Sequence, residues 1–201
     1  MRRTKAEAAQ TREEIFKAGL RVFSEKGFAA ATMADVATAA GTTRGAIYWH
    51  FSSKGEFFRE IVGRLSNHYD EVIRDAVTKG GASPELIRRA VRSLLYRFQK
   101  DSEWRAMQEL VIRANLNGNP EGDVKDELAD ETTAKEMLRR AIGAGELYDR
   151  WEPETALFCL SGAVSGFFLY IAQSETLLSD AQIEAVAEFV ARGFSPRVEE
   201  E

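Results

Sequence analysis

Residues 32–58 read TMADVATAAGTTRGAIYWHFSSKGEFF, and this stretch decides the fold. Thr32, with Asp35 three positions on, predicts a helix start with a capping box. Met33, Val36, Ala37 and Ala40 follow at helical spacing, and Gly41 supplies a left-handed turn residue. A second short helix is expected from Thr42 or Thr43 to about His50, with Ile47 and Phe51 as its buried anchors. Two short helices across a tight Ala40-Gly41-Thr42 turn make a helix-turn-helix. Small Ala37 and Ala40 let the helices approach, while Val36 and Ile47 fill the space between them. Neighbouring helix positions point in different directions, so at least one of Tyr48 and Trp49 must be exposed.

The outer side of the second helix then carries Thr42, Thr43, Arg44, Gly45, Tyr48, Trp49 and His50. A polar, aromatic, partly cationic surface of this kind suits a DNA groove. Arg44 fits a guanine edge or a phosphate. Thr42, Thr43, Tyr48 and His50 suit phosphate contacts and groove packing, and Lys54 beside the amides opening the next helix suits another phosphate.

Outward from this motif, every strong signal is helical. Helices are expected at about Lys5–Glu25, with Ile15, Phe16, Gly19, Leu20, Val22 and Phe23 facing inward, and from Ser53 onward, with Glu56 completing a second capping box. Lys79-Gly80-Gly81-Ala82 is a break, and Ser83-Pro84-Glu85 a restart with Ser83 as cap. Leu86, Ala90, Leu94 and Phe98 mark one further helix, and Trp104, Met107, Leu110 and Val111 another. A loop is expected over 115–123, a helix near 124–142, and two final helices at about 154–174 and 180–194. The fold class is all-α with about nine helices: a helix-turn-helix head over residues 1–54 and a helical body over residues 55–201.

Charge agrees with that division. The chain carries a net −5. Residues 1–54 hold nine Lys/Arg against five Asp/Glu, +4, and the remainder 18 against 27, −9. A basic head on an acidic body suits binding a polyanion at one end. The single cysteine, Cys159, fits a reducing cytosol, and the polar N-terminus shows no signal peptide, so a cytoplasmic protein is expected.

Enzymatic function finds no support. Two histidines and one cysteine form no zinc-spaced ligand set, and no phosphate loop or nucleophile motif is visible. No metal or cofactor is expected.

The body offers two further signals. Residues 156–172, ALFCLSGAVSGFFLYIA, carry no charge. A helix apolar all round is buried on two sides, here against its own domain and a partner subunit rather than in a membrane. Gly162, Ala163 and Gly166 permit close approach, with Ile183, Val186 and Val190 of the last helix completing a homodimer interface. Apolar helices bearing scattered polar groups also suit a small-molecule cavity. The candidate lining is Leu65, Tyr69, Phe98, Trp104, Gln108, Ile112, Ser161, Ser165 and Phe168, which favours a hydrophobic or aromatic effector.

The elements Thr32, Val36-Ala37, Ala40-Gly41, Thr43-Arg44-Gly45, Ile47-Tyr48-Trp49-His50-Phe51 and Lys54 resemble the TetR/AcrR family of transcriptional repressors. Upstream, TREEIFKAGLRVFSEKGFAAATM resembles the same family's first helix and Gly-Phe turn. The resemblance implies an all-α dimer that sets two recognition helices in successive major grooves of a palindromic operator, with Thr32, Tyr48, His50 and Lys54 mostly on phosphate and Thr43 and Arg44 as the candidates for base readout. It also implies release by a small molecule, as in efflux and detoxification control. A ligand-independent or activating regulator is the alternative reading.

Overall fold

Among residues 5–116, 133–147, 151–174 and 177–196, which the computed structural model describes, every regular element is an α-helix. In chain order they are α1 (Lys5–Lys26), α2 (Met33–Ala39), α3 (Arg44–His50), α4 (Lys54–Thr78), α5 (Ser83–Lys100), α6 (Ser102–Leu116), α7 (Thr133–Gly143), α8 (Pro153–Ser174) and α9 (Asp180–Phe194). Two compact units result, Met1–Leu65 with Ala106–Val124 and Ser66–Arg105 with Lys125–Glu201. The sequence boundary between 54 and 55 falls inside the first of these, at the start of α4.

The first unit is built on phenylalanine. Phe57 of α4 lies 5.3 Å from Phe16, 5.0 Å from Phe23 and 5.0 Å from Phe51, centroid to centroid. All four rings are fully buried, each worth roughly 1.5–3 kcal/mol of transfer free energy. Gly19 explains how α1 comes so close, since a Cβ there would sit 2.5 Å from the Phe57 ring. Ile15, Phe16, Leu20, Val22 and Phe23 are buried along the same face of α1, as their spacing predicts.

In the second unit, α5 and α9 pack along their lengths. Leu86, Ala90, Leu94 and Phe98 of α5 and Ile183, Ala187, Val190 and Phe194 of α9 are all buried. Ion pairs flank the seam: Glu184 accepts from Arg88 at 2.7 Å and Arg92 at 2.9 Å. Gln99 of α5 exchanges hydrogen bonds with the backbone of Leu178, fixing the entry into α9.

Three local expectations need correction. Ser83 does not cap α5: it is the first helical residue, and its N–H and hydroxyl both donate to the Glu146 carboxylate, 63 positions away. A carboxylate at a helix start satisfies free amides and meets the positive end of the helix dipole, so it does the work assigned to the serine. Ser53 Oγ does accept the Glu56 N–H at 3.0 Å, but the Glu56 carboxylate turns to Ser52 instead. Asn115 and Leu116, expected in a loop, lie within α6. The rest of that loop, and positions 124–132 of the helix expected near 124–142, lie outside the described residues.

Candidate nucleic-acid interface

Thr32 caps α2. Its Oγ1 accepts the Asp35 N–H at 3.2 Å, and its own N–H donates to the Asp35 carboxylate at 2.9 Å, closing the capping box. The Asp35 carboxyl is pushed down to about 2, first by the Lys26 ammonium at 2.7 Å and then by Thr32. Gly41 ends the turn with φ 62°, a conformation that costs other residues strain. The Thr42 N–H donates to Ala37 O, and Thr43 caps α3 by accepting the Ala46 N–H at 3.2 Å.

The residues of α3 then divide by direction. Ile47, with Phe51 just beyond the helix, is fully buried. Arg44, Gly45, Tyr48 and Trp49 are exposed, the last two at 45% and 73%. Both aromatics face solvent, where only one was required. A Cβ at Gly45 would meet no atom nearer than Thr43 Oγ1 at 3.9 Å, so the glycine leaves open surface at the start of α3. His50 is half-buried, its ring edge-on to Trp49 at 4.6 Å. The structure therefore brings Thr43, Arg44, Gly45, Tyr48 and Trp49 onto one accessible helix, with Thr42 and His50 partly sheltered at its ends.

Lys54 is half-buried and engaged. Its Nζ donates to Ala29 O at 3.1 Å and lies 4.5 Å from the Phe28 ring centroid. It thus staples the turn between α1 and α2.

Sequence reading missed what holds α3 in place. Arg12 of α1 donates to the His50 carbonyl at 2.6 Å and to Glu60 at 2.7 Å, and its guanidinium lies 4.2 Å over the Phe51 ring. Arg64 joins Glu60 at 3.0 Å to Glu13 at 2.7 Å and stacks on Phe16. Burial pushes the Glu60 carboxyl up, but hydrogen bonds from Arg64 and Arg12 outweigh it and leave it below the usual carboxylate range. The i,i+4 spacing of Glu60 and Arg64 was the only local signal; the partners on α1 lie 48 and 51 positions away.

The effector candidates fall into the two units. Leu65 and Gln108 are buried and Ile112 half-buried in the first. In the second, Phe98 stacks on Phe168 at 4.5 Å, Trp104 meets both edge-on, and Tyr69 lies 5.9 Å from Trp104. Ser165 is half-buried, whereas Ser161 is exposed. Ser161 thus turns away from the interior it was expected to line, because it lies on the uncovered side of α8. An open groove of about 670 Å³ lies elsewhere, in the first unit, between the turn at Gly27, Phe28 and Ala30 and the α6 residues Leu110, Arg113 and Ala114. It is lined by none of the candidates.

The dimer candidates also divide. Gly162 and Gly166 are exposed, and a Cβ added at either would meet nothing within 4 Å; Ala163 and Val186 are half-buried. Ile183 and Val190 are not at the surface: they are 0% and 4% exposed, packed inside the chain where α9 meets α5. The uncovered apolar side carries instead Phe158 (78%), Tyr170 and Phe189 (72%). Among the described residues, α8 alone is long and apolar enough to cross a membrane, and little of it is buried.

A capped two-helix unit with a positive-φ glycine turn, presenting Arg44, Tyr48 and Trp49 on its second helix, defines a helix-turn-helix transcription regulator. Residues 15–61 match the family model of bacterial regulatory proteins of the tetR family. The repressor BepR of Brucella suis is 35% identical over 173 residues, 83% of each chain. The regulator TtgR of Pseudomonas putida is 29% identical over 194 residues, 90% of this chain and 91% of its own. SmeT of Stenotrophomonas maltophilia in complex with triclosan shares the fold, with TM-score 0.73 at 22% identity over 92% of each chain. This protein belongs to the TetR family.

Proposed function

We propose that the chain is a cytoplasmic repressor that binds a palindromic operator as a homodimer and leaves it when a hydrophobic or aromatic molecule occupies the body. Its operon would serve efflux or detoxification. The observation that carries this reading is the outward Arg44, Gly45, Tyr48 and Trp49 surface on a helix pinned from behind by Ile47, Phe51 and Arg12. Thr43 and Arg44 read bases; Thr32, Thr42, Tyr48, His50 and Lys54 sit on the phosphate path. BepR is named a repressor, and SmeT represses a multidrug efflux pump and is solved with triclosan, which supports a repressor that answers to an aromatic molecule, with residues 1–54 as the DNA-binding head and 55–201 as the effector-binding body.

The homodimer forms through α8 and α9. Phe158, Tyr170 and Phe189 are large apolar side chains left in water by a single chain, and Gly162 and Gly166 between them allow backbones to approach. A second copy covers them, which a membrane reading of α8 does not require.

Release follows from population shift. An effector that prefers a conformation with mismatched heads, no longer at the half-site spacing of about 34–36 Å or its multiples, weakens the operator complex. A coupling of about 1–3 kcal/mol lowers affinity by about 5–150-fold. Selection from random duplexes followed by footprinting tests the first step: a short palindrome is expected, and uniform coverage of any duplex sinks it. Adding triclosan and related aromatic compounds to the operator complex tests the second.

A further inference from the structure

Trp104 is fully buried, yet its indole Nε1–H finds no acceptor among the described residues. Native interiors rarely leave such a donor unpaired, because burial strips its water without replacement. A phenylalanine would fill an apolar site without this cost, so the indole needs another reason. Its surroundings are aromatic: Phe98 at 6.3 Å, Phe168 at 5.5 Å and Tyr69 at 5.9 Å. The Arg97 guanidinium lies 6.0 Å from the ring and can only donate. Asp101 already accepts the backbone N–H of Trp104 at 2.9 Å, which holds the residue in place without touching the indole nitrogen's need.

We propose that Trp104 Nε1–H is the polar anchor of the effector, and that the effector is a neutral flat aromatic molecule bearing a hydrogen-bond acceptor such as a carbonyl oxygen. The proposal rests on the effector reading of the body and names the chemistry its site selects. Phe98 and Phe168 are stacked at 4.5 Å with 7° between their planes, so parting them gives a slot for a third flat ring beside the indole edge. A carboxylate is disfavoured there, since rings cannot repay the loss of its water and the Arg97 guanidinium already faces Glu71 at 3.8 Å and Asp101 at 3.7 Å. The acceptor oxygen gains a donor whose own desolvation cost is already met in the empty state, so discrimination against a ligand without an acceptor is built in.

Benzophenone and diphenylmethane are nearly the same shape and differ in the carbonyl. Calorimetric titration of the full-length dimer should give about tenfold tighter binding of benzophenone, the worth of one buried hydrogen bond. In Trp104→Phe the two compounds should bind within about twofold of each other. Wild-type protein labelled with ¹⁵N-tryptophan supplies a measurement independent of that variant's folding. Three indole signals are expected from three tryptophans, assigned through Trp49→Phe and Trp151→Phe. Benzophenone should move the Trp104 indole proton downfield, and diphenylmethane should not. Equal affinities, or a Trp104 proton that stays in place in the benzophenone complex, overturn the anchor while effector binding itself stands. If neither compound binds and no aromatic ketone loosens the operator complex, the anchor falls together with the effector reading.

Discussion

Arg12 donates to the main-chain oxygen of His50 at 2.6 Å, tying α1 to the last residue of α3 across 38 positions of chain. That carbonyl belongs to the C-terminal end of α3, where partial negative charge collects and a cation is favourable. The same guanidinium holds Glu60, so one residue sets the orientation of α3 relative to α1 and α4.

Arg12→Ala should therefore weaken operator binding without touching the residues proposed to face DNA, and should destabilise the fold by about 1–2 kcal/mol. That figure is a charge-assisted hydrogen-bond value discounted for partial exposure. Gel-shift affinity and thermal melting check it together. Unchanged operator affinity in the variant would show that α3 does not depend on this tie.

Gly19→Ala trades two effects of opposite sign. Alanine favours the helix by about 1 kcal/mol, but its methyl group would lie 2.5 Å from a Phe57 ring already enclosed by Phe16, Phe23 and Phe51. Overpacking of a closed core costs about 1–3 kcal/mol, so a net loss is expected. Calorimetry decides, and a raised Tm would mean that the rings move aside freely.

The capping box of α2 predicts a pH dependence. Folding lowers the Asp35 carboxyl from 3.8 to about 2, so its contribution is fully present above pH 4 and is lost as pH falls toward 2. The Tm difference between wild type and Asp35→Asn should hold level from pH 7 to about 4.5 and shrink below that. A difference that already fades between pH 7 and 5 would assign the effect to another group.

Lys54 is proposed to have two roles. Its contacts with Ala29 O and the Phe28 ring are structural, and its charge is assigned to a phosphate. Lys54→Ala should lower affinity for all duplexes alike and reduce the slope of log K against log salt by about 1. A lower Tm with an unchanged slope would leave only the staple.

The seam on α8 can be tested without disturbing a single chain. Gly162 faces open space, so Gly162→Arg should keep full helicity by circular dichroism yet sediment as a monomer and bind the operator poorly. A variant that still sediments as a dimer at wild-type concentrations would place the seam elsewhere.

Most of the recognition unit was legible locally. Thr32 with Asp35, Gly41, and the split between inward Ile47 and outward Tyr48 and Trp49 each depend on atoms within about four residues along the chain, where helix period and capping act. The inward face of α1 was legible for the same reason. In the body, α9 defeated that logic: it carries apolar residues on more than one side, so periodicity alone assigned Ile183 and Val190 to the surface seam, whereas both are buried and Phe189 stands exposed.

The sequence by itself determined where the described helices of the head begin and end and which of its side chains stand outward, because those choices are settled by neighbours one turn away. Only the tertiary structure decided that Arg12 secures His50, that Glu146 rather than Ser83 serves the start of α5, and that the Trp104 indole is enclosed by rings. Each of these joins groups brought together by packing of apolar faces, and such packing constrains distances in space without leaving a periodic mark along the chain.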